Sequence, residues 1–250
     1  MTVMGLFQNS VDAVRNNLGE ALRFSGVVFI LTILVTTAIN VWLIGQIAPP
    51  PIDPEVPQIP EEVLLATGLN FAILFVVFSW VAIEWHRFAL GGVRLPSIFP
   101  TWNGARMLRY LGQVILLGVM IAFAVAFPFA IVIGIFQAIG LASATAFLPL
   151  VMIWVAYYVI YRAGMVLPAA ALDQPLRLRD SMNMTKDMAG PLWGLAGLQL
   201  AISVFFMMLV QILPAQSIVG VVVSGVVQWF LVLLSASLLS SVYKATQHNQ

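Results

Sequence analysis

Hydrophobic residues in this chain fall in long unbroken blocks, separated by short polar segments. No Asp, Glu, Lys or Arg occurs from Tyr110 to Tyr161 or from Met188 to Tyr243, and each block exceeds fifty residues. About 20 apolar residues cross the hydrocarbon core of a bilayer, so each block is expected to hold two membrane-spanning helices. The shorter charge-free runs Phe24–Ile52 and Val63–Ile83 hold one each. The pattern predicts six spans, at about 25–47, 63–83, 111–135, 141–166, 192–213 and 218–239. Gly134 and Gly140 flank the turn between spans three and four, and Pro214-Ala-Gln-Ser217 makes the one between five and six. A transmembrane barrel would show short segments of alternating polarity, whereas runs such as Val27-Val28-Phe29-Ile30-Leu31 are apolar on every side.

The polar segments between the hairpins carry a second pattern. Ser10-Val-Asp-Ala13, Trp102-Asn-Gly-Ala105 and Ser181-Met-Asn-Met184 each lead into an outward-going span, with Gly26, Gly118 and Gly197 at matching positions further on. Val11, Val14 and Leu18 alternate with Asp12 and Arg15, and Met107 and Leu108 sit between Arg106 and Arg109. Such amphipathic, basic segments suit short helices in the headgroup layer. The expected architecture is all-α: one integral membrane domain over residues 1–250, six transmembrane helices as three hairpins, each hairpin preceded by an interfacial helix, with 1–23 the first of these.

Composition agrees with this reading. Of 250 residues 61% are hydrophobic and 8% charged, with a mean hydropathy of +1.00, whereas soluble domains carry about 25% charged residues. With no Cys, disulfides, thiolate catalysis and Cys-ligated metals are excluded. Asp12 and Glu20 interrupt the first 23 residues, so no cleavable signal peptide is expected. In the six-span arrangement all 11 basic residues fall on one side, while Asp53, Glu55, Glu61 and Glu62 lie on the other. By the positive-inside rule both termini are expected in the cytoplasm, in a bacterial inner membrane. Pro49, Pro50, Pro51, Pro54, Pro57 and Pro60 make the first outer loop a stiff, acidic strap. Most tryptophans and tyrosines fall near predicted span ends and read as interfacial anchors.

Three segments carry a likeness to a known group. Glu84-Trp-His-Arg-Phe88 closes span two, Tyr161-Arg-Ala-Gly-Met-Val-Leu-Pro168 closes span four, and Arg179-Asp-Ser-Met182 starts the third interfacial helix. With them, the three-unit layout resembles the multi-pass membrane domain of bacterial glycerophosphodiester phosphodiesterases and related free-standing membrane proteins of unknown function. The likeness covers most of the chain and implies the fold. The soluble catalytic domain of those fused enzymes has no counterpart in these 250 residues, so phosphodiesterase activity is not carried over.

Ionisable groups beside the hydrocarbon are costly and often mark function, which singles out Glu84, His86, Arg87 and Arg162. Spans two and four both run toward the basic side, so Glu84 and Arg162 lie at the same depth and are candidates for an ion pair tying two hairpins together. Lining an inner vestibule for an anion or a proton, and simply reaching the headgroups, are the other roles open to these four residues. Arg87, Arg106, Arg109, Arg177 and Arg179 are candidate contacts for anionic phospholipid headgroups. Within the spans, Asn40, Asn70, Gln199, Gln211 and Gln228 read as hydrogen-bonding links between helices, and Pro128 and Pro149 as kinks. No zinc motif, phosphate-cradling glycine loop or nucleophile elbow occurs. No catalytic residue, metal site or cofactor is expected, and no nucleic acid partner. The chain therefore reads as a non-enzymatic inner-membrane protein acting through contacts with lipid or another membrane complex, in an accessory, assembly or scaffold role. A small-molecule transporter or channel, and a membrane-embedded lipid enzyme, are the alternatives.

Overall fold

The computed structural model describes residues 2–45, 60–93, 99, 101–174, 176–214 and 217–247, and every regular element among them is helical. The elements are α1 (Val3–Asn16), α2 (Leu18–Leu43), α3 (Glu61–Gly91), α4 (Gly104–Ala138), α5 (Thr145–Ala163), α6 (Val166–Ala171), α7 (Leu178–Met184), α8 (Lys186–Gln211) and α9 (Ile218–Gln247). Six of them, α2, α3, α4, α5, α8 and α9, are long and apolar enough to cross a membrane. In their most apolar stretches only 11–28% of residues are buried inside the protein. The remainder must face hydrocarbon, because an outer surface this apolar has no counterpart on a soluble domain. The proline strap before Pro60 lies outside the described residues, as does Arg94.

The helix ends depart from the hydropathy reading in instructive ways. Span two was expected to stop before Glu84, but α3 runs on to Gly91, where Gly92 adopts a left-handed φ of 61° and closes the helix. Gly tolerates that φ at no steric cost. The segment at 102–110 is not a separate interfacial helix. Asn103 caps the peptide N–H of Arg106 at 3.0 Å, and nothing between there and Pro128 breaks the helix, so amphipathic start and apolar span form one rod. Pro128 follows a π-helical turn at Ala122–Ala126, and Pro149 lies in the first turn of the regular helix Leu148–Ala163. Pro128 thus lies within α4 beside a local departure from α geometry, where its missing N–H is accommodated, and Pro149 near the start of α5, where the missing N–H is tolerated.

α1 is amphipathic as expected, capped by the Thr2 hydroxyl, which accepts from the Gly5 N–H at 3.1 Å. Its buried face, Leu6, Ser10 and Val14, docks on protein rather than lipid, packing against α9 and α8. Gly194 of α8 leaves the space that Val3 occupies. The short α6, buried along its whole length, packs against α3, α4 and α9. α9 touches α1, α2, α3, α6 and α8 and is the axis of the fold. Trp85 corrects the view of tryptophans as interfacial anchors: it is 0% exposed, between Phe24 and Phe88. Trp42 and Trp102, at 66% and 62% exposed, do face outward.

Candidate functional site

The last turns of α9 carry Ser235, Ser237, Ser240 and Ser241, and neighbouring helices hydrogen-bond to that row. Trp85 Nε1 donates to Ser237 Oγ at 2.6 Å. Ser10 and Ser241 hydroxyls meet at 2.9 Å. The single hydrogen of Ser240 Oγ goes to the carbonyl of Ala236, 2.9 Å away. The 2.8 Å contact between Ser240 Oγ and His86 Nδ1 therefore has the ring as donor. Nε2 is then an acceptor, and Tyr110 OH donates to it at 3.3 Å. In this arrangement the Nδ1-protonated tautomer satisfies both ring contacts. A further pair of the same type joins Trp229 Nε1 to Ser25 Oγ at 2.7 Å, within the π-helical turn Leu22–Gly26 of α2.

His86 and Tyr110 lie at one end of a groove of about 570 Å³ walled by α3, α4, α5, α8 and α9. Phe71, Phe75, Phe78, Val114 and Val232 make its apolar walls. Polar groups along it are paired with one another: Tyr157 OH with Ser203 Oγ at 3.1 Å, and Gln199 Nε2 with Ser235 Oγ at 3.3 Å. The carbonyl oxygen of Gln199 is buried without a protein donor. On α9 the lining runs from Gln228 to Leu239, a rise of about 16 Å at ~1.5 Å per residue. On α3 it runs from Phe71 to His86, about 22 Å, so the groove covers about half to three-quarters of a hydrocarbon core ~30 Å thick. The lining stretches of α3 and α4 include His86 and Tyr110, next to the basic ends of their helices. The groove therefore runs from the basic end of the helices into the apolar part of the bundle.

The structure does not bring Glu84 and Arg162 together, which corrects the candidate ion pair. Glu84, 1% exposed, pairs with Arg87 one turn on in α3, at 3.2 Å. Arg162 is held by neutral groups: Nε on Thr185 Oγ1 at 2.9 Å, NH1 on Tyr158 OH at 2.9 Å and NH2 on the Met182 carbonyl at 3.0 Å. Two residues at the basic ends of their helices need not be neighbours, and the local partner at i+3 is always within reach. Of the five arginines read as lipid contacts, three have carboxylate partners within the protein. Arg87 serves Glu84, while Arg106 and Arg109 clasp Asp173 at 2.6 and 2.8 Å. Arg177 and Arg179 are exposed and form no ion pair among the described residues. Asn40 and Asn70 do link α2 to α3, at 2.7 Å. Among the described residues no three His, Asp or Glu side chains gather as metal ligands.

In the sequence Asp173 stands only as the start of the Asp173–Asp187 loop, with no partner indicated. It sits in the turn after α6 with φ 60°, and closes the basic end by joining that turn to the start of α4. The hydrogen bond from Arg106 holds its carboxyl below the usual carboxylate range, aided by the charges of Arg106 and Arg109 and opposed by partial burial. A depressed folded-state pKa stabilises above the unfolded value of ~4 and loses that contribution as pH falls through it. Asp173→Asn keeps a residue tolerant of positive φ but removes the charge. It should cost about 0.5–1 kcal/mol at pH 7, the range for exposed ion pairs. Thermal unfolding in detergent checks this: the gap from the native protein should close as pH falls below the unfolded carboxylate value of ~4 and through the lower folded one.

No family model matches the sequence, and no match was found among curated proteins or among solved structures.

Proposed function

We propose that this is a non-enzymatic protein of a bacterial inner membrane, with both termini in the cytoplasm, that holds a lipid acyl chain in the groove between α3, α4, α8 and α9 and presents its basic end to anionic headgroups. One observation carries the reading. An apolar groove about 16–22 Å long runs from the basic end of the helices into the apolar part of the bundle. An acyl chain has that length, that polarity and that location. The exposed residues around its mouth, Phe71 among them, place the entrance on the lipid-facing surface. Arg15, Arg177, Arg179, Lys186 and Lys244 are exposed at the same end, where each adds about 1 kcal/mol of attraction to an anionic leaflet.

Val232→Trp tests this reading. Val232 lines the groove and is half-buried, so an indole there fills the volume without removing a hydrogen bond. Lipid retained through purification in mild detergent, measured by mass spectrometry, should fall by about half or more, since filling the groove removes the buried apolar contact that retains a chain. The melting temperature should change little. Unchanged lipid content in a folded Val232→Trp protein would refute the groove as the lipid site.

A further inference from the structure

Arg162 differs from the other cations. Arg87, Arg106 and Arg109 each face a carboxylate. Those without one among the described residues, Arg15, Arg177, Arg179, Lys186 and Lys244, are exposed. Arg162 is half-buried at the end of α5, and all three groups that receive its N–H donors are neutral. Withdrawing a charge from water is expensive unless an opposite charge compensates it. The Thr185 hydroxyl and the Met182 carbonyl orient the guanidinium without neutralising it.

The orientation is well determined. Thr185 Oγ1 lies 2.9 Å from the Ser181 carbonyl and 3.1 Å from that of Arg162, and Ser181 Oγ donates to the Arg162 carbonyl at 2.9 Å. Backbone and side chain of Arg162 are thus both tied to α7. A guanidinium has five N–H donors; three are engaged, leaving one on each terminal nitrogen. Tyr158 OH accepts from Arg162 and keeps its own hydrogen to donate. Trp193 meets the Tyr158 ring edge-on at 4.6 Å, Trp154 stacks on Trp193 at 5.1 Å, and Gly197 leaves Trp154 room against α8. Tryptophan and tyrosine rings settle at headgroup depth.

We infer that Arg162 and Tyr158 form a phosphate-binding site on the face of α5 and α8, with the aromatic group beside it as the apolar shelf. Arginine matches phosphate through paired, charge-assisted hydrogen bonds, and a phosphate supplies the negative charge that these neutral partners lack. The site is separate from the acyl groove, which takes Tyr157 rather than Tyr158 from α5, and it does not rest on the groove reading. A phospholipid headgroup and a free phosphate ion share this chemistry.

The test titrates the detergent-solubilised protein with short-chain phosphatidylglycerol, with phosphatidylcholine of the same chain length and with inorganic phosphate, following the rise in melting temperature. The native protein should be stabilised saturably by phosphatidylglycerol. Arg162→Gln should need about tenfold more of it, as expected for losing charge-assisted bonds, and Tyr158→Phe about threefold more, for one neutral hydrogen bond. Arg23→Gln, at a cation paired with Glu20 at 2.7 Å and away from this face, should match the native protein. The ligand-induced rise is read within each variant, so a lower baseline stability of Arg162→Gln does not affect the outcome, and Arg162→Lys, which keeps the charge, should fall in between. Saturable stabilisation by inorganic phosphate that disappears in Arg162→Gln would uphold the phosphate site and identify its source as the free ion. An unchanged phosphatidylglycerol response in Arg162→Gln, or equal losses in Arg162→Gln and Arg23→Gln, would overturn the assignment. Val232→Trp separates the two sites: it should leave the Arg162-dependent response intact even where groove lipid is lost.

Discussion

Trp85→Ala should lower the stability of the detergent-solubilised protein by about 3–5 kcal/mol, the range for removing a large aromatic side chain from a packed core. Trp85 is completely buried, with Phe24 stacked at 6.1 Å and Phe88 at 5.5 Å between ring centroids. It joins α3 to α2 and, through the 2.6 Å bond to Ser237, to α9. Substitution by Ala opens a cavity at the junction of three helices and takes a partner from a buried hydroxyl. Trp85→Phe separates the two effects, keeping most of the ring volume and losing the indole N–H, and should cost about 1–2 kcal/mol for the hydrogen bond. Equilibrium unfolding in mixed micelles measures both variants. Equal losses would mean that the hydrogen bond, and not ring packing, holds this junction.

Gly164→Ala should be nearly as damaging, at about 2–4 kcal/mol, as expected where an added methyl forces the backbone to move. Gly164 makes the corner between α5 and α6, where its N–H donates to the Ile160 carbonyl at 2.7 Å. A Cβ on Gly164 would overlap that carbonyl oxygen, which is backbone, and would press on Leu239 at 3.2 Å. Relief requires the corner to move, and with it α6 and the backbone of Arg162. Gly225 is the control: a Cβ there overlaps only the flexible end of the Ile33 side chain, so Gly225→Ala should cost under about 1 kcal/mol. Comparable melting shifts for the two alanines would show that the α5–α6 corner has more freedom than its geometry implies.

The corrections at the candidate site share a cause. Glu84 was read as the first residue beyond a span because carboxylates usually lie outside hydrocarbon. In the fold it is within α3, since Arg87 is one turn away and neighbouring helices enclose both. The serine row of α9 went unremarked because serine in an apolar helix carries little signal, its hydroxyl being able to bond the carbonyl four residues back. Ser240 does so while also receiving His86 from another helix. The spacing of Ser237, Ser240 and Ser241 on adjoining positions of one turn was the sign available. The pairing of Asp173 was not legible, because its partners, Arg106 and Arg109, are more than sixty residues away in sequence.

The sequence by itself determined the number of membrane-crossing helices, their approximate limits, the all-α class and the gathering of basic residues at one end. Those properties follow from the cost of putting charge or unpaired backbone into hydrocarbon, which each segment meets or fails on its own. Tertiary structure decided which helices touch. Hydropathy is blind to neighbours, because a residue facing lipid and one facing another helix are equally apolar. Contact instead depends on shape and on pairing: the gap at Gly194 that admits Val3, the indole that finds Ser237, and the turn that carries Asp173 to two arginines. Whether Arg162 meets Glu84 or a set of neutral groups belongs to that second kind of question, and the packing of α5 against α7 answered it.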